Sequence, residues 1–210
     1  MAATYRAVCT EGYADLTMRD IAEEAGKSKS LLHYHYDTKE GLLVAFLDHM
    51  LSRFEADVEA MDGESPTERL AALVGKLSSD TTVGADEANE TDEERRRFHR
   101  ALLELRTQAP CHEAYRQQLA RNKAAIQDRF ADVIREGVET GEFRAVDPER
   151  AARFVLAALD GARNAHVALG DADDPPAVRA SIAEFLGVDS GFDGESDFGG
   201  EPVDDSEAEE

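Results

Sequence analysis

The sequence predicts an all-α fold, and three observations carry that expectation. Apolar residues recur at helical spacing along most of the chain, and no run alternates apolar with polar residues as a half-buried strand does. Several of these runs open on a helix-capping residue with an acid three positions later, as in Thr17/Asp20 and Ser65/Glu68. Glycine and proline then punctuate the runs, at Gly12, Gly26, Gly63, Pro110, Gly141 and Gly170.

In order, a first helix is expected over Ala2 to Glu11, ended by Gly12. The second opens at Thr17, and Met18, Ile21, Ala22 and Ala25 form its single apolar stripe. Gly26 and Lys27 make a turn, Ser28 caps a short third helix running through Tyr34, and Leu32 and Tyr36 anchor it. Thr38 caps a long fourth helix with Leu42, Leu43, Phe46, Leu47 and Met50 on one side, closed by Gly63. Ser65-Pro66-Thr67-Glu68 starts the fifth, which runs to about Ser79. Thr81 to Glu94 is polar and acidic and reads as a loop. The sixth helix covers Glu93 to Gln108 and breaks at Pro110; the seventh runs from about Cys111 to Glu139 and stops near Gly141. Asp147-Pro148 opens the eighth, with Phe154, Val155, Leu156 and Leu159, ending near Gly170. After a linker from Asp171 to Pro176, a ninth covers Ala177 to Leu186. From Gly187 onward ten acidic residues, no basic one and many Gly and Ser describe a disordered, solvating tail.

The 210 residues suffice for a sizeable core, and no stretch approaches the roughly 18 apolar residues of a membrane span. The N-terminus lacks a basic flank followed by an apolar run, so no secretory signal is read there. Cys9 and Cys111 have no metal-type partner spacing, and a reduced, cytoplasmic protein is expected. The formal net charge of −22, from 23 basic and 45 acidic residues, argues by itself against nucleic acid. Its distribution matters more than its sum: residues 1–50 hold five basic and eight acidic side chains, and Lys27 to Lys39 carries three lysines against Asp37 alone. Only five of the basic residues are lysine and 18 are arginine. This acidic, lysine-poor composition resembles that of halophilic (haloarchaeal) proteins. In concentrated salt the Debye length falls to about 3 Å, and long-range repulsion from a duplex is screened away.

Two short helices joined by a glycine turn, the second exposing Lys, Ser, Tyr and His, have the pattern of a helix-turn-helix. A small amphipathic helix inside any bundle can look the same. The longer string GYADLTMRDIAEEAGKSKSLLHYHYDTKEGLLVAFL resembles the N-terminal DNA-binding domain of the TetR family, nearly continuously from Gly12 to Leu47. Further on, GEFRAVDPERAARFVLAALDGA resembles a helix junction common in the same family.

The resemblance implies a three-helix DNA-binding domain over 1–47, a helical effector-binding and dimerisation domain over 48–186, and the acidic tail over 187–210. It implies a ligand-responsive repressor that binds a pseudo-palindromic operator in double-stranded DNA as a homodimer. Thr17 would then bond a phosphate, Arg19 a base or phosphate, and Ser28 would cap the reading helix. Lys29, Ser30 and Leu31 would face base edges, while His33, Tyr34 and His35 would clamp the backbone. Lys39 would pair with a phosphate at the start of the fourth helix. Phe98, Leu102, Leu105, Tyr115 and Phe130 are candidate contacts for an effector of unknown identity. The eighth and ninth helices, with small Ala157, Ala158, Gly161 and Ala162 on the eighth, would build the dimer interface. Lys27, Ser30 and Leu31 depart from the family's usual residues and leave the operator sequence open. The family pattern also extends about one helical turn beyond the residue matching Met1.

Other readings remain at this point. His33 and His35, two residues apart, lie on different faces of a helix and make a poor metal pair, so no metal and no cofactor is expected. No nucleophile elbow, zinc-protease, P-loop or dinucleotide motif occurs, which argues against an enzyme. The alternative is a helical ligand-binding oligomer that has lost DNA binding.

Overall fold

The computed structural model describes residues 1–61, 65–78, 92–170 and 174–188. Among these are nine helices and no strand: α1 Ala2–Asp15, α2 Met18–Glu24, α3 Lys29–His35, α4 Lys39–Glu59, α5 Pro66–Leu77, α6 Asp92–Gln108, α7 Glu113–Thr140, α8 Pro148–Leu169 and α9 Asp174–Leu186. The expected stop at Gly63, the acidic loop from Thr81 and the tail beyond Val188 lie outside the described residues.

Capping is where the sequence put it. The Thr17 hydroxyl accepts from the Arg19 and Asp20 N–H groups while the Asp20 carboxylate takes the Thr17 N–H at 2.7 Å. Ser65 and Glu68 repeat this capping box on α5. Ser28, Thr38 and Asp147 cap α3, α4 and α8 through their side-chain oxygens.

Two boundaries differ from expectation. The first helix does not end at Gly12 but is interrupted there: Gly12 adopts φ 71°, ψ 172°, and helical structure resumes to Asp15. That left-handed φ suits glycine, which has no Cβ to clash. The ninth helix starts at Asp174 rather than Ala177. Pro175 and Pro176 fall in its first turn, where the missing N–H groups have no intrahelical partner to lose.

The helices bury two hydrophobic clusters. The first joins Val8 of α1, Ile21 of α2 and Leu42 and Phe46 of α4 to Phe98 and Leu105 of α6 and Tyr115 of α7. The second gathers Phe54, Leu73, Phe130, Ile134, Val155 and Ile182 from α4, α5, α7, α8 and α9. α4 crosses from one cluster to the other, so the expected boundary at residue 47 falls inside a continuous helix.

One close approach in the second cluster is between α7 and the turn after it. The Phe143 N–H donates to the Gly137 carbonyl at 2.9 Å, and the ring, 3% exposed, lies across the glycine. A Cβ on Gly137 would sit 2.3 Å from Phe143 Cδ2. Gly137→Ala therefore overpacks a buried contact and is expected to destabilise the protein by about 1–3 kcal/mol, read from denaturant midpoints.

Candidate nucleic-acid interface and effector cavity

α3 has no buried residue. Its Ser28 cap fixes where it starts, since Ser28 Oγ accepts the Leu31 N–H at 3.2 Å. Leu32 and Tyr36, half-buried, seat it on the first cluster. That leaves Lys29, Ser30, Leu31, His33, Tyr34 and His35 exposed along the rest of the helix, with Tyr34 82% and Leu31 42% accessible. The Tyr34 and His35 rings meet edge to face at 5.1 Å. A seven-residue helix presenting a lysine, hydroxyls, an apolar side chain and aromatic donors has the groups that read base edges and grip phosphates.

Around it the expected contacts divide into those left available and those already engaged. Arg19, exposed, lies 2.7 Å from Glu23 in a surface ion pair that raises its pKa, chiefly through that hydrogen bond. Such solvated pairs are weak enough to exchange for a phosphate. Thr17 is exposed, but its hydroxyl also donates to Asp20 at 2.6 Å, and this bond is the main reason the Asp20 carboxyl titrates below its ordinary value. Lys39 differs more from the phosphate contact expected of it. Its ammonium donates to the carbonyls of Tyr13 at 3.2 Å and Leu16 at 3.0 Å, and lies 4.6 Å over the Tyr13 ring. The reason is positional. The last turn of α1 and the connection to α2 lie beside the first turn of α4, and the Tyr13 and Leu16 carbonyls there accept from its lysine.

Between α4, α5, α6, α7 and α8 lies a cavity of about 300 Å³. Of the five candidate effector contacts, Phe98 and Leu102 line it. The other three candidates do not border it: Leu105 and Tyr115 are packed into the first cluster and Phe130 into the second. Burial pushes the Tyr115 phenol well above its usual range, so the group stays neutral. Large apolar and aromatic residues at helical spacing fill cores more often than they line sites, and these three lie in the core.

The cavity's charged wall escaped the sequence reading. Arg106 of α6 and Arg163 of α8 both donate to Asp160 Oδ1, the former at 3.2 Å, and Arg163 also reaches the Leu77 carbonyl at 3.3 Å. Lys76 of α5 pairs with Asp57 at 3.0 Å. A signal for Arg106 did exist, because it continues the Phe98, Leu102 row at i+4 and so shares their face.

A second overlooked residue joins the two regions. Glu104 of α6 accepts the Tyr13 N–H at 3.0 Å, just past the Gly12 kink. α6 thus touches the cavity through Phe98, Leu102 and Arg106 and the end of α1 through Glu104. Among the described residues no group of three or more His, Cys, Asp or Glu is placed to hold a metal ion. No helix there is long and apolar enough to cross a membrane.

Comparison with known proteins gives this geometry its context. Residues 1–46 match the model of bacterial regulatory proteins of the tetR family, and residues 84–187 that of the BetI-type transcriptional repressor C-terminal region. The HTH-type transcriptional regulator BetI of Brucella anthropi is 36% identical over 74 residues, 34% of this chain and 38% of that regulator's length. The fold is also that of a transcriptional regulator from Saccharomonospora viridis in complex with choline: TM-score 0.70 and 23% identity, over 89% of this chain and 92% of the other. A TetR transcription regulator from Haloarcula marismortui is 37% identical, with a TM-score of 0.74, covering 88% of this chain and 93% of its own. With identity at that level over nearly the whole length of a relative, and both halves matching family models, the chain belongs to the TetR family of transcriptional regulators.

Proposed function

We propose that this protein is a ligand-responsive repressor, acting in the cytoplasm, that binds a pseudo-palindromic operator as a homodimer. Residues 1–47 would read DNA and residues 48–186 sense the effector and dimerise. The observation that carries the reading is α3, a helix seated by Leu32 and Tyr36 with every other side chain in solvent. In this account Lys29, Ser30 and Leu31 approach base edges, and Thr17, Arg19, His33, Tyr34 and His35 hold phosphates. Lys39 acts one step back, holding the α1–α2 loop that carries Thr17.

The partner subunit would dock on α8 and α9. Phe154, 51% exposed, stacks on Phe185 at 4.8 Å, and Ala157 and Gly161 are exposed on the next turns of α8. Large apolar groups beside small ones suit close helix packing between two copies. Effector binding would act through α6, whose cavity side and Glu104 side move together. It represses or releases only so far as it binds one spacing of the two reading heads better than the other. Because one neighbour of the same fold is described in complex with choline, a quaternary ammonium is among the effectors to be tested.

The charge of −22 favours a second reading, a ligand-binding oligomer without DNA affinity, and one assay separates the two. The full chain, purified in concentrated salt, is challenged with the intergenic DNA upstream of its own gene. Specific retention is expected, and Lys29→Ala is expected to weaken it, reducing the salt slope by about 1 if the lysine meets a phosphate. Lys39→Ala should instead lower the melting temperature as well, because the lysine has an internal role. No retention at any salt concentration leaves the second reading. Independently, Phe154→Glu is expected to convert the dimer to monomer in sedimentation. A monomeric wild-type chain would refute the proposed assembly.

A further inference from the structure

Taking the cavity as the effector site proposed above, its wall charge says which chemical class enters it. Most of the lining is apolar, from Leu47 and Phe54 on α4 through Leu102 on α6 to Ile126 on α7 and Leu156 on α8. One end is not. There a single oxygen of Asp160 accepts from two guanidiniums, Arg106 and Arg163. One carboxylate balances one cation, so among the described residues this end carries a surplus positive charge. Lys76 does not alter the balance, because Asp57 pairs with it. Lys123, exposed, is a further cation among the lining residues.

A surplus charge is costly where water is scarce, and Arg163 is 7% exposed. Burial, and next the neighbouring Arg106, bring its pKa down to about 10, so it remains protonated at neutral pH. An anionic group placed at this end would offset the repulsion between the two arginines. A cation would add to it. Nor do the described lining residues offer a cation much else. Asp160 is their only carboxylate and is already shared, and their only benzyl rings are Phe54 and Phe98. The polarity is notable in a chain with 45 acidic residues against 23 basic.

We propose that the effector is a small amphipathic monoanion, its carboxylate set against Arg106 and Arg163 and its apolar body lying along Phe98, Leu102 and Leu156. Each guanidinium carries five N–H donors in a planar fork suited to a carboxylate, and Asp160 and the Leu77 carbonyl take only part of that set. At roughly 30 Å³ per non-hydrogen atom, a volume of about 300 Å³ holds on the order of ten such atoms, the size of a medium-chain or aryl-alkyl acid.

Titration calorimetry on the full chain with three ligands of one chain length tests this: octanoate, 1-octanol and octyltrimethylammonium. Octanoate is expected to bind once per chain and more tightly than octanol, with no heat from the cation. Arg106→Gln should weaken octanoate about tenfold, the loss of one charged hydrogen-bond donor. Asp160→Asn should tighten it, since the surplus grows by one charge. Thermal melts followed by circular dichroism establish that each variant is folded, and the three-ligand ranking on wild-type protein needs no variant. Cation binding equal to or tighter than octanoate, absence of octanoate binding, or folded variants that both leave octanoate affinity unchanged would each overturn the assignment. The operator assay keeps the two ideas apart. DNA retention that the cation releases and octanoate does not would sink the anion assignment and leave the repressor. Charge-dependent octanoate binding without any DNA retention would do the reverse.

Discussion

At Gly12 the chain leaves helical geometry for a residue, and backbone groups of Tyr13 and Leu16 find partners on two other helices. Glu104 of α6 takes the Tyr13 N–H, and the Lys39 ammonium of α4 takes the carbonyls of Tyr13 and Leu16. These three hydrogen bonds tie the loop that leads into α2 to the helices that reach the cavity. They add to the apolar seating of α3 by Leu32 and Tyr36 in fixing these first helices against the rest of the protein. Charge-assisted bonds in a partly buried setting hold geometry better than solvated ones, and their loss leaves charged groups without partners.

The same junction gives a physical route between the two sites. α6 presents Phe98, Leu102 and Arg106 to the cavity and Glu104 to the kink, so a ligand that shifts α6 moves an anchor of the reading head. α4 is a second connection, continuous from the first turn held by Lys39 to Phe54 at the cavity. Its Leu47 carbonyl accepts from Asn122 of α7 at 2.9 Å, tying it to another cavity helix. Coupling of this kind needs no contact between the ligand and DNA. It requires only that the packed helices have two arrangements and that each ligand favours one.

Charge is organised on two scales. The overall excess of acid belongs to the sequence as a whole, with ten of the 45 acidic residues after Gly187, and high ionic strength screens it. The local features run the other way: the lysines around α3 and the arginines of the cavity wall. Ion pairs among buried groups are screened far less than those in solvent. Arg163 is buried where the ion pairs within α6 and α7 are exposed, so its charge, paired to the partly exposed Asp160, has the stronger claim on ligand chemistry.

Much of this fold was legible in residue order. Helix starts at Thr17, Ser28, Thr38, Ser65 and Asp147 are set by side chains bonding to backbone within three residues, and the apolar stripes by spacing within one or two turns. The exposed face of α3 follows from the same local rules once Leu32 and Tyr36 are taken as anchors. Tertiary structure alone decided the roles of Lys39, Glu104, Arg106 and Arg163, and which of Phe98, Leu102, Leu105, Tyr115 and Phe130 meet empty space. Glu104 and its partner Tyr13 are 91 residues apart, and Arg163 and the Leu77 carbonyl 86. A short-range pattern marks a residue as facing inward. Whether it meets a neighbour, a charge or a cavity depends on how rigid helices pack against each other, and that is a property of the whole assembly rather than of any one helix.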